Sequence, residues 1–301
     1  NPMLKWERVR QLNLGVDFYT SNNRVSGSID AYSKQCTNLY GPAPFDYTAY
    51  GSIDKITKNV ANVAGKGVEV NMTVKWTDKA IKFSTHLLYN YTSNKTTSYF
   101  EPASGVVGVL GNGSRIVPQI GKELYFIAAR RWAGLDDVGD PLGYVNNEPS
   151  KDYFAISLES RNGFASSNVV YKGPANPLHY GSVINTIAWN RLSLSFNIAY
   201  RSNYYFFRNS LDYRKLYKEG ITHKEFENRF RKKGDELHTN VPAMVYTDYK
   251  DFSSRSTFYQ SAEINVLRGD HLRLQYIHLD YSFEKSRNLF DRLQIYAHVS
   301  D

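Results

Sequence analysis

The sequence predicts an all-β fold: an antiparallel, membrane-spanning segment of β-barrel, with long connections at one end of its strands and short turns at the other. Three observations lead there. Apolar and polar residues alternate with a period of two over stretches of ten or more residues, each long enough to cross a bilayer as a tilted strand of about nine to eleven residues. The connections between those stretches are alternately short and long, as periplasmic turns and extracellular loops are in outer-membrane barrels. No apolar run approaches the eighteen or so residues of a membrane-crossing helix, and a mean hydropathy of −0.50 suits a wall with one polar face and polar loops.

Taken in order, Leu12, Leu14, Val16 and Phe18 alternate through a first strand over residues 8 to 20. Ser21-Asn22-Asn23 is turn chemistry, because Asn tolerates left-handed backbone angles. The return strand sets Val25, Gly27, Ile29 and Ala31 against Ser26, Ser28, Asp30 and Tyr32. Residues 39 to 65, with Pro42 and Pro44, read as a long connection. The strongest hairpin follows, from Gly67 to Tyr91. Val68, Val70, Met72, Val74 and Trp76 alternate with Glu69, Asn71, Thr73 and Lys75. After the turn Thr77-Asp78-Lys79, Ile81, Phe83, Thr85, Leu87 and Tyr89 alternate with Lys82, Ser84, His86 and Asn90. Against lipid on one side and water on the other, this pattern makes Glu69, Asn71, Thr73, Lys75, Lys82, Ser84 and His86 the candidate lumen-facing residues.

A second long connection spans residues 93 to 122. Its Gly105, Gly108, Gly111 and Gly113 follow no strand and precede no helix signal, so a flexible loop is read there and not a phosphate cradle. Residues 123 to 135 read as a strand closed by the turn Asp136-Asp137-Val138-Gly139-Asp140-Pro141, which lacks the spacing and terminal Glu of a calcium loop. Short strands are read at 153 to 160 and 167 to 172. A clean hairpin turns at Trp189-Asn190-Arg191, its second arm setting Leu192, Leu194, Phe196, Ile198 and Tyr200 against Ser193, Ser195, Asn197 and Arg201. Residues 203 to 260 form the longest connection. Within it Thr222-His223-Lys224-Glu225 is a capping-box signal, with Phe226 and Phe230 following at helical spacing. The last hairpin carries Ile277, Leu279, Tyr281 and Phe283 in one arm and Leu293, Ile295, Ala297 and Val299 in the other, for about ten strands in all.

Composition narrows the function. A net charge of +8 raises the possibility of nucleic acid, yet the basic residues are scattered and no reading motif is present. The densest cluster, Arg229-Phe230-Arg231-Lys232-Lys233, is a solvated loop face. No nucleic-acid partner is expected. The single cysteine, Cys36, forbids an internal disulfide. Adjacent strand residues point to opposite faces, so Asp270 and His271 cannot converge; His278 and Asp280 share the lumen face but lack a nucleophile. No Gly-x-Ser-x-Gly and no zinc-type His/Cys spacing occurs. No catalytic residue, metal or cofactor is therefore assigned. The 24 Tyr, 16 Phe and 4 Trp are rich for a soluble domain. Near strand ends, as at Trp76, Tyr91, Trp189 and Tyr200, such rings suit the membrane interface. In the connections, Tyr40, Tyr47, Tyr50, Tyr99, Tyr204, Tyr205 and Tyr246 are candidates for contact with an oligomeric substrate. The alternative is a soluble or cell-surface all-β glycan-binding protein, with the aromatics as its sugar platform.

Several motifs, in order along the chain, resemble one family. They are Asn1-Pro2-Met3-Leu4-Lys5-Trp6-Glu7 with Gln11, Asn13, Gly15, Asp17 and Phe18; Asn23 to Ile29; Asn62 with Lys66-Gly67-Val68-Glu69; Trp132-Ala133-Gly134-Leu135-Asp136 with Gly139-Asp140-Pro141; Tyr180-Gly181; Lys233-Gly234-Asp235; Val241-Pro242; and Leu272-Arg273-Leu274. The chain resembles the SusC/RagA-like TonB-dependent outer-membrane transporters of the Bacteroidetes type. Phe230 stands where that family usually has Trp, and Ser182 where a second Gly is common. The resemblance implies active import of glycan oligosaccharides or oligopeptides. It also implies a SusD-like surface lipoprotein as partner, energy coupling by TonB-ExbB-ExbD through a plug domain, and outer-membrane lipid around the wall. Residues 1 to 301 would then be a partial C-terminal barrel domain, about half of a barrel of roughly 22 strands. The plug, the N-terminal strands and the last strands would lie outside it, and residues 203 to 260 would be an extracellular loop with a short helix.

Overall fold

A computed structural model of the chain describes residues 4–44, 55–100, 110, 113–283 and 293–300. Tyr47, Tyr50, Gly105, Gly108, Gly111 and the turn expected near residue 286 lie outside them. The chain divides into two compact units: residues 1–99, 177–203 and 269–301, and residues 100–176 with 204–268.

The first unit is a single antiparallel sheet. With strands numbered along the chain, it contains β1 (Arg8–Tyr19), β2 (Val25–Pro44), β3 (Lys55–Asp78), β4 (Ile81–Tyr99), β10 (His179–Trp189), β11 (Leu192–Ser202), β14 (His271–Phe283) and β15 (Leu293–Ser300). They pair in that order, every neighbour following in sequence, and β1 and β15 form its two edges. The register joins the periodic rows read from the sequence. Val16 sits opposite Ile29, Ile29 opposite Val70, and Val70 opposite Tyr89. Farther along, Leu194 opposes Leu279, and Leu279 opposes Ala297. Toward the edges these apolar rows are bare, Leu12 being 63% exposed, Leu14 68%, Leu272 78% and Val299 70%, and on the central strands Val70, Tyr89 and Leu194 are half-buried. No helix among the described residues is long and apolar enough to cross a membrane, which says nothing about strands.

Two bulges keep the rows on their faces. Between β11 and β14 the register slips at Asn197/Ile198, so Ile198 meets Leu274 and Phe196 meets Ile277. The even-numbered Leu272 and Leu274 thereby join the odd-numbered Ile277 and Leu279 on one face. A second slip beside Lys75 accommodates Trp76, whose indole N–H donates to Thr85 Oγ1 at 2.9 Å and whose ring stacks on Phe83.

The connection read at 39 to 65 is largely strand. β2 runs on to Pro44 and β3 begins at Lys55, and β4 likewise extends to Tyr99. Tyr40 and Tyr99 are therefore strand residues, and Tyr99 packs on the buried cluster of Ala43, Val60 and Ala61. Pro42 and Pro44 are tolerated because β1 pairs with β2 only as far as Thr37; beyond it β2 has β3 alone as partner, and an edge has no use for an N–H on its open side.

Among its described residues the second unit collects seven short strands and three α-helices. The strand read at 123 to 135 is β5 (Phe126–Arg130) plus β6 (Gly134–Leu135). Neither belongs to the large sheet: β5 pairs with β9 (Val169–Pro174), and β6 with β7 (Pro141–Val145), which pairs in turn with β8 (Glu148–Ser150). β12 (Tyr205–Phe207) pairs with β13 (Val266–Arg268). The large sheet thus has eight strands among the described residues, and the short turn near 137 is not one of its hairpins. Residues 153 to 160, read as a strand, form helix α1 (Tyr153–Ser160), because Asp152 caps it by accepting from the Ala155 N–H and because Tyr153, Ile156 and Ser160 fall on its buried side. Helices α2 (Tyr213–Glu219) and α3 (Phe252–Ser261) follow; the expected helix near 222–230 is a five-residue 3-10 turn, Lys224–Asn228, capped by His223. Three buried clusters form the core of this unit among the described residues: one around Phe126, Ala128 and Val169, one around Leu211, Tyr213, Val241 and Tyr259, and one around Tyr153, Ile156 and Phe258, with Trp132 packing on the last two.

Candidate functional site

The polar face of the sheet is built by the same register. Glu69 lies between Asp30 and Asn90, Asn71 between Ser28 and Leu88, and Thr73 between Ser26 and His86; Lys75 pairs with Ser84. All seven residues predicted to share a face do so by pairing, although Lys82 sits at the turn end, 3.7 Å from Asp78, with both side chains well exposed. Two motif glycines are explained here. Tyr32 from β2 lies across Gly67, where a Cβ would meet its ring at 2.4 Å, and its hydroxyl reaches Thr92 Oγ1 at 3.0 Å. Gly181 plays the same part on the apolar face, where a Cβ would fall 1.9 Å from the Leu88 carbonyl oxygen and close to the Tyr200 hydroxyl. A bare backbone covered by a neighbouring strand's aromatic ring is a recognised way to fix register.

At β14 and β15 the polar face carries a cluster of rings of which the sequence marked His278 alone. His278 stands directly opposite His298, with ring centroids 5.6 Å apart. Tyr296 lies 5.6 Å from His278, and Tyr276 lies 5.5 Å from His298. The phase slip between Leu274 and Ile277, which turns Tyr276 and His278 to this side, was the signal available. Asp270 and His271 are separately engaged: Asp270 accepts from the Asn203 N–H at 2.7 Å, and His271 Nδ1 contacts the Gly269 carbonyl at 2.8 Å.

The tyrosines proposed for substrate contact are scattered. Tyr205 is on β12, its ring filling the space beside Gly173. Tyr204 precedes it and is half-buried. Tyr246 is 71% exposed, 6.2 Å from the Tyr217 ring.

In the second unit, the motif from Trp132 to Pro141 builds a charged centre. Trp132 stacks on Phe258. Asp136 accepts from the Asp140 and Val138 N–H groups at 2.7 and 3.1 Å, closing its own turn, and from Lys151 Nζ at 2.8 Å. Gly139, at φ +83°, leaves room for the Phe230 ring. Asp140, 4% exposed, receives Arg255 Nε at 2.7 Å and the Tyr249 hydroxyl at 2.8 Å, and Arg255, 1% exposed, also donates to the Gly139 carbonyl. Burial opposes ionisation of Asp136, but the hydrogen bonds from Lys151 and from the two backbone N–H groups outweigh it and hold its carboxyl below the usual range. These carboxylates are committed to protein partners.

The same unit holds a cleft of about 500 Å³, lined by residues of 208–223 and Gln260.

Residues 1–147 match the family model described as TonB dependent receptor-like, β-barrel. Over 96 residues the chain is 30% identical to TonB-dependent receptor P3 of Formosa agariphila, covering 32% of this chain and 9% of that protein. It is 24% identical over 219 residues to TonB-dependent receptor SusC of Bacteroides thetaiotaomicron, covering 68% of this chain and 20% of that one. Among solved structures, the RagAB peptide transporter superposes with a TM-score of 0.71 at 19% identity, and the RagAB peptide importer in its open-open state with 0.71 at 20%; each match covers all of this chain and 32% of the other. The likeness to these structures is one of fold. The chain spans a fifth or less of the curated relatives it matches.

Proposed function

We propose that the chain is part of the β-barrel of a SusC/RagA-like TonB-dependent receptor of the outer membrane and that it serves the energy-coupled import of nutrient oligomers. The observation that carries the reading is the two-faced sheet, whose eight strands gather exposed apolar rows on one side and Glu69, Asn71, Thr73, Lys75, Ser84 and His86 on the other. Lipid satisfies the first side, and a water-filled or plugged lumen satisfies the second. In water, a bare apolar face of this extent would drive association, which disfavours the soluble glycan-binding alternative.

In this reading the sheet is barrel wall and lumen lining, and the second unit is extracellular, since both of its segments join strand ends opposite the short turns at 20–24, 79–80 and 190–191. Substrate, an oligosaccharide or an oligopeptide, is captured outside beneath a SusD-like lipoprotein. TonB-ExbB-ExbD then displaces a plug that belongs to the rest of the protein. Tyr246 is the best exposed of the tyrosines offered for contact. The test is uptake of labelled oligosaccharide and oligopeptide pools by cells carrying or lacking the full-length receptor, with and without a protonophore. Receptor-dependent accumulation that the protonophore abolishes supports import. Surface binding with no energised accumulation overturns it.

A further inference from the structure

The cleft in the second unit is lined by Arg208, Asn209, Ser210, Asp212, Arg214, Lys215, Thr222, His223 and Gln260, with Ile221 as its apolar member. At about 500 Å³ it falls within the size range of small-molecule sites. Its charges do not cancel evenly. Arg214 grips Asp212 through Nε and Nη2 at 3.0 and 3.1 Å, and donates as well to Thr257 and Gln260 at 3.0 Å each. Arg208 is paired with Glu225 behind the wall, and the other oxygen of Glu225 accepts from the Leu211 N–H at 2.9 Å. Each carboxylate is thus matched to its own guanidinium. Lys215, exposed on α2, has no carboxylate partner among the described residues, which leaves the cleft with one uncompensated ammonium among hydroxyl and amide groups.

We propose that this cleft is a binding subsite for a carboxylate-bearing unit of an oligomeric ligand, with Lys215 as the charge that recognises it and Ser210, Thr222 and Asn209 as hydrogen-bonding partners for the groups around it. The inference rests on the import reading and narrows it to acidic cargo. An ammonium is a point charge that accepts carboxylates of different geometry, so two sources fit: a uronic acid residue of a glycan and the free C-terminus of a peptide.

The experiment uses the full-length receptor in detergent and calorimetric titration with four probes. These are a galacturonate trimer, a neutral hexose trimer of the same length, trialanine, and trialanine amide. The subsite predicts that the galacturonate trimer binds better than the neutral trimer, or trialanine better than its amide, and whichever pair discriminates names the source. Lys215→Ala is expected to weaken the carboxylated probe about tenfold and leave its neutral counterpart unchanged, while Lys215→Arg retains binding. Equal binding within both pairs, or a Lys215→Ala protein that still discriminates, overturns the subsite. Energised uptake of neutral oligomers alongside such a result would leave the import reading standing and this one refuted.

Discussion

Arg255 and Asp140 show what a single residue decides here. Each is almost wholly buried, and each is the other's main source of charge compensation. Arg255→Met leaves the Asp140 carboxylate in the interior with only Tyr249 and the exposed Lys151, an arrangement expected to cost about 3–5 kcal/mol. In the full-length receptor this predicts protease cleavage within residues 113–176 and 204–268 at least about a hundredfold faster than in wild type, at unchanged heat-modifiable mobility of the barrel. Wild-type cleavage rates would show that the pair does not hold the unit together. Asp136 adds a pH dependence of known sign. Its folded-state carboxyl lies below the ordinary range, so its contribution is present above the unfolded value of about 3.9 and is lost as the pH falls through the folded value. Cleavage of the unit is expected to rise below about pH 4, and Asp136→Asn is expected to flatten that rise. None of this was legible in the sequence. Asp136 and Asp140 were visible in the motif, but Arg255 lies 115 residues from Asp140, and no local pattern marks a long-range pair.

At the scale of the element, the strands of the sheet were legible wherever one face met a different medium from the other. β1, β10, β11 and the paired arms of β14 and β15 stand where the alternation put them. The reading failed where period two stopped being the governing pattern. Residues 38–44 and 55–66 are strand, yet bulges at 36–40 and at Asn62/Val63 interrupt the alternation there, and the prolines argued for a loop. Residues 153–160 are rich in β-prone Tyr, Phe and Ile, yet the Asp152 cap and the burial of Tyr153 and Ile156 make them helix. The bare apolar row yields a sharp expectation. Val70→Arg places a cation on the lipid side of β3, where the penalty is about 2–4 kcal/mol near the midplane. The full-length protein is expected to lose folded, heat-modifiable barrel in outer-membrane fractions, while Asn71→Arg on the opposite face assembles normally. Equal assembly of both variants would remove Val70 from the lipid face.

For the molecule as a whole, the two edges of the sheet matter most. β1 and β15 each pair on one side only, and the structure brings no further described strand to either. In hydrocarbon every unpaired N–H and C=O costs several kcal/mol, so residues 1–301 alone are expected not to insert. Expressed by themselves they should aggregate, and give no heat-modifiable band when refolded into detergent. A monodisperse, detergent-free monomer would count against the membrane wall.

What the sequence settled by itself is the two-faced sheet: which residues share its apolar side, which share its polar side, and where the turns near 21, 78 and 190 fall. A strand repeats every two residues, so one-sided surroundings are written directly into its order. The assembly of the second unit was decided only in three dimensions. Two segments separated by the β10–β11 hairpin share one core there, Trp132 reaching Phe258 and Asp140 reaching Arg255. Contacts between residues so far apart depend on the path of the chain, and periodicity carries no record of it.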